Sequence, residues 1–302
     1  MTGTHPAALP KETLEQGGGY VTHVCDREGP ESIYRLWKWW TDDKSSSDES
    51  RLPSIWHRGV LGKIHAPRFA EPLIADLDES MAGVSWDLLD MSKYRSHNWH
   101  AFDHIDRRAP YASIHTSLGC PYKCGFCCIN APFGKPAYRM WSPETVLKEI
   151  DFLARERGVE NIKFVDEMFV LNKKHVLGIV QGLAIRSDYK VNIWAYARVD
   201  TIGNDRAFLD AMKAGGVNWL CLGIESASQH VRDGADKKYG NEDIVAAVRR
   251  IQAAGIYVIG NFIFGLPDDT PVRMQETLDL ALGLRCEYAN FYSAMAYPGS
   301  PL

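Results

Sequence analysis

Four of the seven cysteines in this 302-residue chain, Cys120, Cys124, Cys127 and Cys128, fall within one short stretch, whereas Cys25, Cys221 and Cys286 are scattered. The crowded stretch reads Gly119-Cys120-Pro121-Tyr122-Lys123-Cys124-Gly125-Phe126-Cys127, a C-x3-C-x2-C spacing. Three thiolates on one short loop can ligate three irons of a [4Fe-4S] cube and leave the fourth iron open. Gly119 and Gly125 let the backbone curl tightly around such a group. Zinc is the competing ligand, but it wants four donors, usually as two separated pairs. Only Cys128 is at hand as a fourth, and adjacent residues seldom both reach one tetrahedral ion. An electron-transfer cluster normally takes four cysteines at ferredoxin spacing, which is absent. Cys128 reads as a packed neighbour of the three ligands.

The elements that must carry this loop follow from periodicity. From about residue 111 onward, short apolar runs alternate with helical periods. Tyr111–Leu118, 161–166, 191–199, 219–224, 257–264 and 289–296 read as strands, continuously apolar as in parallel sheets covered on both faces. Ser142-Pro143 starts a helix with stripe Val146, Ile150 and Leu153, stopped at Gly158. Three more stripes are Val176/Ile179/Val180/Leu183, Phe208/Leu209/Met212 before Gly215-Gly216, and Ile244/Val248/Ile251 before Gly255. A fifth is Met274/Leu278/Ala281/Leu282. Strand–helix alternation of this kind predicts an α/β fold with a parallel sheet, here six strands and five helices in a barrel-like arc. The cysteine loop then follows the first strand, where loops at strand C-terminal ends build active sites.

The C-x3-C-x-aromatic-C motif, with Phe126 as the aromatic, resembles that of the radical SAM superfamily, over residues 111–302. The resemblance implies a partial (β/α)6 TIM-like barrel. It implies S-adenosylmethionine chelated by its amine and carboxylate to the open iron, and its reductive cleavage to a 5′-deoxyadenosyl radical. A low-potential electron donor of the flavodoxin or ferredoxin kind and a small-molecule substrate complete that expectation.

Later strand ends carry the remaining candidates. Leu222-Gly223-Ile224-Glu225-Ser226 resembles the segment giving a polar contact to the methionyl part of the cofactor; the rival role for Glu225 is a helix cap. Arg198 and Asp200, at the end of the third strand, could meet the methionyl carboxylate and the ribose hydroxyls, the alternative being a structural ion pair across the barrel rim. Asp166 and Glu167 end the second strand, where the superfamily often contacts the methionyl amine; capping is the alternative. Lys237 sits where related enzymes carry a base near the cofactor carboxylate, or is a solvated lysine. Gly265, in Gly260-Asn261-Phe262-Ile263-Phe264-Gly265-Leu266-Pro267, allows a close turn beside adenine or an ordinary strand-to-helix turn. Asn290, Phe291, Tyr292 and Tyr297 can line a substrate side or pack in core and rim.

Residues 1–60 are expected to be a remnant of a cobalamin-binding-like α/β domain, incomplete at its front, with 61–110 a connector and 111–302 the core barrel. The segments Ile74-Ala75-Asp76-Leu77-Asp78 and Trp86-Asp87-Leu88-Leu89-Asp90 resemble the connector of cobalamin-associated radical SAM proteins. The Asp-x-His-x-x-Gly stretch that usually supplies a cobalt ligand there occurs nowhere in this chain. Cobalamin is therefore possible in a full-length relative and not expected to bind this chain alone. Lys44–Arg51 reads as a flexible polar loop. Both ends suggest a fragment or a split-gene product.

The net charge of −4 gives no electrostatic footprint for nucleic acid. No apolar run reaches the roughly 18 residues of a membrane span. Met1–Gln16 lacks a signal-peptide layout, and crowded cysteines suit a reducing compartment, so the cytoplasm is expected. Besides a radical enzyme, the sequence admits a non-catalytic iron–sulfur module and an inactive remnant.

Overall fold

The computed structural model describes residues 1–42, 51–59, 61–81, 83–102 and 104–302. The expectation for Lys44–Arg51 falls, except for Arg51, outside the described residues. The chain forms two compact units, one of Asp76–Leu118 and Tyr138–Ala294, the other of Met1–Ala75, Gly119–Ala137 and Met295–Leu302. These units interleave along the chain.

The larger unit is built on a six-stranded parallel sheet. Its strands are β1 (Tyr111–Ile114), β2 (Asn161–Phe164), β3 (Asn192–Arg198), β4 (Val217–Glu225), β5 (Tyr257–Phe264) and β6 (Tyr288–Ser293). Their spatial order is their chain order. Right-handed crossovers between sequential parallel strands put every connecting helix on the same face. These helices are α1 (Pro143–Arg157), α2 (Lys173–Ala184), α3 (Arg206–Ala214), α4 (Asn241–Ala253) and α5 (Pro271–Leu284). The α/β parallel architecture expected of the radical SAM barrel is thus present, with the strands close to their expected bounds.

Local chemistry explains the helix ends. Ser142 Oγ accepts from Thr145 N, Pro143 opens α1, and Gly158 closes it in the left-handed region (φ 65°). Asn172 and Asp205 cap α2 and α3 in the same way. The buried stripes of α1, α2 and α3 are those read from the sequence. In α5 they are not. Its buried residues are Thr277 and Leu284, while Leu278 and Leu282 are exposed. The reason is polar: Thr277 Oγ1 accepts from Ala227 N at 3.0 Å and lies 3.2 Å from Ser226 Oγ. A hydroxyl that fastens a turn has no weight in an apolar periodicity.

The first expected strand, Tyr111–Leu118, is broken. Tyr111–Ile114 pairs in parallel with Asn161–Phe164, but Ser117–Leu118 pairs antiparallel with Arg139–Met140. Between them His115-Thr116 leaves the sheet, and Thr116 O accepts from Trp141 N.

An aromatic group closes the amino-terminal end of the sheet. The Trp99 ring meets those of Trp194 and Trp219 edge-on, at 5.2 and 5.3 Å. Beside it an amide ladder crosses three strands, from Asn218 to Asn192 to Asn161, each bond 2.9 Å. The connector is stitched on by Trp86 Nε1, which donates to Glu149, and by Asp78, which accepts from Ser142 N.

In the smaller unit His23–Cys25, Ile55–Arg58 and Ile64–His65 form an antiparallel sheet. Cys25, Leu36, Leu52 and Ile55 make its core, with Trp39 packed against it. The sequence leads to the expectation of an α/β remnant over residues 1–60. The observed pairing is antiparallel, and a helix, Pro30–Asp42, lies in the chain between the first two of these strands.

Candidate active site

The cysteine loop belongs to the smaller unit. Gly119 opens it with φ 85°, and a β-carbon there would fall 2.4 Å from Ala137 O, so the close backbone approach requires glycine. Cys127 N donates to Cys124 O, closing a tight turn around Phe126, and Asn130 Nδ2 donates to Tyr122 O. Leu302 N donates to Gly125 O. All seven cysteines are free thiols. Cys120, Cys124 and Cys128 are half-buried and Cys127 is exposed. Three thiols outside any disulfide on one short loop are, in number and chemistry, the donor set of a cubic iron–sulfur cluster with one open iron.

In the larger unit Asp166 follows β2, fully buried. Its Oδ1 accepts from Thr116 N at 2.7 Å, and its Oδ2 accepts from Thr116 Oγ1 at 2.6 Å and Ser117 Oγ at 2.5 Å. His175 Nε2 lies 3.0 Å from Thr116 Oγ1. Burial pushes the Asp166 carboxyl up, against three donors that favour its charged form. Burial also brings His175 down to about 4. Both oxygens of Asp166, a candidate contact to the methionyl amine from its sequence position, are engaged within the fold. The carboxylate clamps the segment that leads directly into Gly119-Cys120. This network escaped the sequence reading; Thr116-Ser117 immediately before the cysteines was its only signal. Glu167, next along, is half-buried.

A second constellation gathers at the carboxyl ends of β3 and β4. Glu225 pairs with Lys237, both buried. Between β4 and β5 the register shifts so that Gly223 faces Asn261 and Glu225 faces Phe262. This bulge re-aims the side chain of Glu225, whose own φ is 66°, a costly region for a residue with a β-carbon. A β-carbon on Gly223 would lie 2.5 Å from Lys237 Nζ and 2.6 Å from Glu225 Oε1, so the missing side chain makes room for the pair. Tyr239 OH donates to Gly223 O at 2.6 Å, and burial pushes this phenol up to about 12. The Arg198 guanidinium stands 5.9 Å from the Tyr239 ring and binds Asp200 through two bonds of 2.9 and 3.0 Å. Arg198, Asp200, Glu225 and Lys237 are thus brought together, and Lys237 is no solvated surface lysine. Glu225 is not a simple cap either; Ser228 caps the helix that follows.

Gly265 ends β5 with φ 81°, and its N–H donates to Asp269 Oδ2 at 2.9 Å. Of the last-strand candidates, Asn290 Nδ2 donates to Asn261 Oδ1, and Tyr292 shares its parity on β6. Phe291 points to the opposite face, stacked on Phe262 and Phe264 at 5.1 and 5.4 Å. It is a packing residue, not a substrate-side one. Tyr297 belongs to the smaller unit.

The radical SAM superfamily profile matches residues 114–281. An uncharacterized methyltransferase, PH0819 of Pyrococcus horikoshii, is 35% identical over 232 residues, covering 76% of this chain and 47% of that protein. The anaerobic magnesium-protoporphyrin IX monomethyl ester cyclase of Cereibacter sphaeroides is 24% identical over 100% of this chain and 47% of its own length. Among solved structures, the radical S-adenosylmethionine methyltransferase TsrM of Kitasatospora setae, with cobalamin and a [4Fe-4S] cluster bound, superposes with a TM-score of 0.76. It does so at 19% identity, over 99% of this chain and 56% of that one. The cobalamin-dependent enzyme OxsB follows at a TM-score of 0.68, 20% identity, 92% of this chain and 38% of its own.

The chain belongs to the radical SAM superfamily. That membership brings the cofactor pair of the family, a [4Fe-4S] cluster and S-adenosylmethionine. The chain spans about half the length of the curated relatives it matches. No helix among the described residues is long and apolar enough to cross a membrane.

Proposed function

We propose that this chain is the core of a radical enzyme acting on a small molecule in the cytoplasm, with Cys120, Cys124 and Cys127 holding the cluster. The observation that carries this is the curled, disulfide-free C-x3-C-x2-C loop, entered directly from the Asp166-clamped segment after β1. When bound and reduced by a low-potential flavodoxin- or ferredoxin-like donor, the cluster supplies the electron that breaks a carbon–sulfur bond of S-adenosylmethionine. Phe126 fills the turn between the second and third ligands. Glu225 would accept a hydrogen bond from the methionyl amine, and Lys237, which pairs with it here, would meet the methionyl carboxylate. Arg198 and Asp200 orient the carboxylate and ribose, Glu167 borders the amine, and Gly265 lets the backbone approach adenine. Methyl transfer and cyclisation are the reactions carried in the relatives' names.

The decisive experiment is anaerobic cluster reconstitution followed by reduction with S-adenosylmethionine. Formation of 5′-deoxyadenosine or of a methylated product supports the reading. A reconstituted cluster that neither binds nor cleaves S-adenosylmethionine makes the chain an iron–sulfur module. Cobalamin is assigned to longer relatives. Residues 1–60, read as the end of a cobalamin-binding domain, contribute strands to an antiparallel sheet and, among the described residues, no parallel one. Isolation of this chain with stoichiometric cobalamin would overturn that part.

A further inference from the structure

Helices occupy one face of the parallel sheet, so residues of one parity, Ile162, Phe164, Leu220 and Leu222 among them, are consumed by packing. The other parity carries a different population. Lys163 from β2 lies in register with Trp194 and Trp219, beside Trp99, and further along the same face come Tyr196 from β3 and Cys221 from β4, packed with these rings, then Asn261 from β5 and Asn290 from β6. Asn261 bridges two of these, donating to Cys221 Sγ at 2.9 Å and accepting from Asn290 at 3.0 Å.

Lys163 is the anomaly in this layer. Its ammonium rests 4.4 Å from the centre of the Trp194 ring and 5.3 Å from that of Tyr196. No carboxylate pairs with it among the described residues. Cys221 is a neighbouring group able to carry negative charge, but burial pushes that thiol up to about 12, so it is neutral near pH 7. A half-buried cation with only ring faces for company has lost hydration without gaining an anion. Burial accordingly draws the lysine down from its ordinary range. Nothing in the packing of the sheet needs an ammonium at this position; a methionine would fill the same space against Trp194.

The geometry points to Lys163 as the anchor for an anionic group on the substrate, a carboxylate or a phosphate, held beside the Trp194 and Tyr196 rings. This deepens the radical-enzyme reading by giving its substrate a chemical class, and it rests on that reading for the word substrate. The binding site itself stands independently of it.

The test uses the full reconstituted chain under anaerobic conditions and three probes: phenylacetate, phenyl phosphate and the neutral phenylacetamide. Ligand-observed NMR gives their dissociation constants on the wild type, on Lys163→Gln and on Lys163→Arg. At least one anion is expected to bind the wild type about ten-fold tighter than the amide, the scale of one charge-assisted hydrogen bond. Whether it is the carboxylate or the phosphate names the source. Lys163→Gln abolishes the preference and Lys163→Arg keeps it, with the affinity for S-adenosylmethionine unchanged in both. The proposal is overturned if the amide binds the wild type as well as both anions do, if no probe binds it, or if Lys163→Gln keeps the preference. The wild-type comparison needs no variant to fold. A retained anion preference in a protein that makes no 5′-deoxyadenosine would instead sink the radical reading and leave the anion site standing.

Discussion

Asp166 and Glu225 are both carboxylates at the carboxyl ends of strands in one sheet, and both are buried, yet their surroundings divide their labour. Asp166 takes neutral donors only, all from Thr116 and Ser117. Its bonds are spent inside the fold, on the two residues that lead to the cysteine loop. Glu225 takes a cation, Lys237, across a gap that a glycine leaves open, from a bulged and strained backbone. An ion pair can be traded for another charged partner; a set of neutral hydrogen bonds to the backbone and its neighbours cannot. Similar positions along similar strands therefore separate into a fastener and an exchangeable contact.

The largest effects should appear at the ligands themselves, where neither carboxylate can compensate. Replacement of Cys120, Cys124 or Cys127 by Ala is expected to abolish cluster incorporation, whereas Cys128→Ala retains a full complement of iron and sulfide. Iron and sulfide counts on the four reconstituted variants decide it. Equal loss in Cys128→Ala would end the three-ligand assignment.

Next comes the ion pair. Lys237→Met strands a buried carboxylate, which typically costs about 3–5 kcal/mol. Removing both charges in Lys237→Met/Glu225→Met should cost less than the single change, because no uncompensated charge remains. Urea unfolding of the two variants and the wild type measures this. A double variant less stable than the single one would show that the pair is not the unit it is taken to be.

The fastener has its own signature in acid. His175, beside Thr116, titrates near 6.5 when unfolded and is brought to about 4 by burial. Between these values the unfolded chain binds a proton that the native chain does not. Stability therefore falls as pH drops from about 6.5 to 4, by on the order of 3 kcal/mol for this residue. His100 behaves alike, again brought to about 4 by burial. Asp166 works in the opposite sense, since a raised native pKa makes the folded state take up the proton first. Comparing the wild type with His175→Phe isolates one histidine: the variant's unfolding free energy should be flatter across that window, and parallel curves would contradict the assignment.

What the sequence could say depended on the kind of signal. The strands and the caps at Ser142-Pro143 and Gly158 were legible because apolar runs and turn residues carry them directly. The cysteine motif was legible because its spacing is a chemical constraint on one loop. Glu225 and Lys237 were both picked out, but their pairing was not, because it depends on the room at Gly223 and on a bulge, neither of which has a one-dimensional pattern. Asp166 was assigned to the cofactor because its position along the chain resembles that of a contact residue. Only the fold shows that Thr116, fifty residues earlier, claims it. Lys163 drew no notice, since a lysine inside an apolar strand looks like an interruption until its neighbours are known.

The last prediction is the smallest in free energy and bears most directly on the comparison. If Glu225 is exchangeable, its removal should touch S-adenosylmethionine and spare iron. Glu225→Ala loses one charge-assisted hydrogen bond, on the order of 1.5–3 kcal/mol, or about ten-fold or more in affinity. If Asp166 is a fastener, Asp166→Asn should do the reverse. The amide keeps the volume but turns one acceptor into a donor facing the hydroxyls of Thr116 and Ser117, so the segment before Gly119 loosens. Iron is then retained poorly, while the protein molecules that do hold a cluster bind S-adenosylmethionine with nearly wild-type affinity. Both quantities come from one set of samples: iron per chain after gel filtration, and titration of the cluster-loaded fraction with S-adenosylmethionine. The two variants should separate along these axes. Loss of iron in Glu225→Ala equal to that in Asp166→Asn would mean that both carboxylates hold the fold and neither is kept for the cofactor.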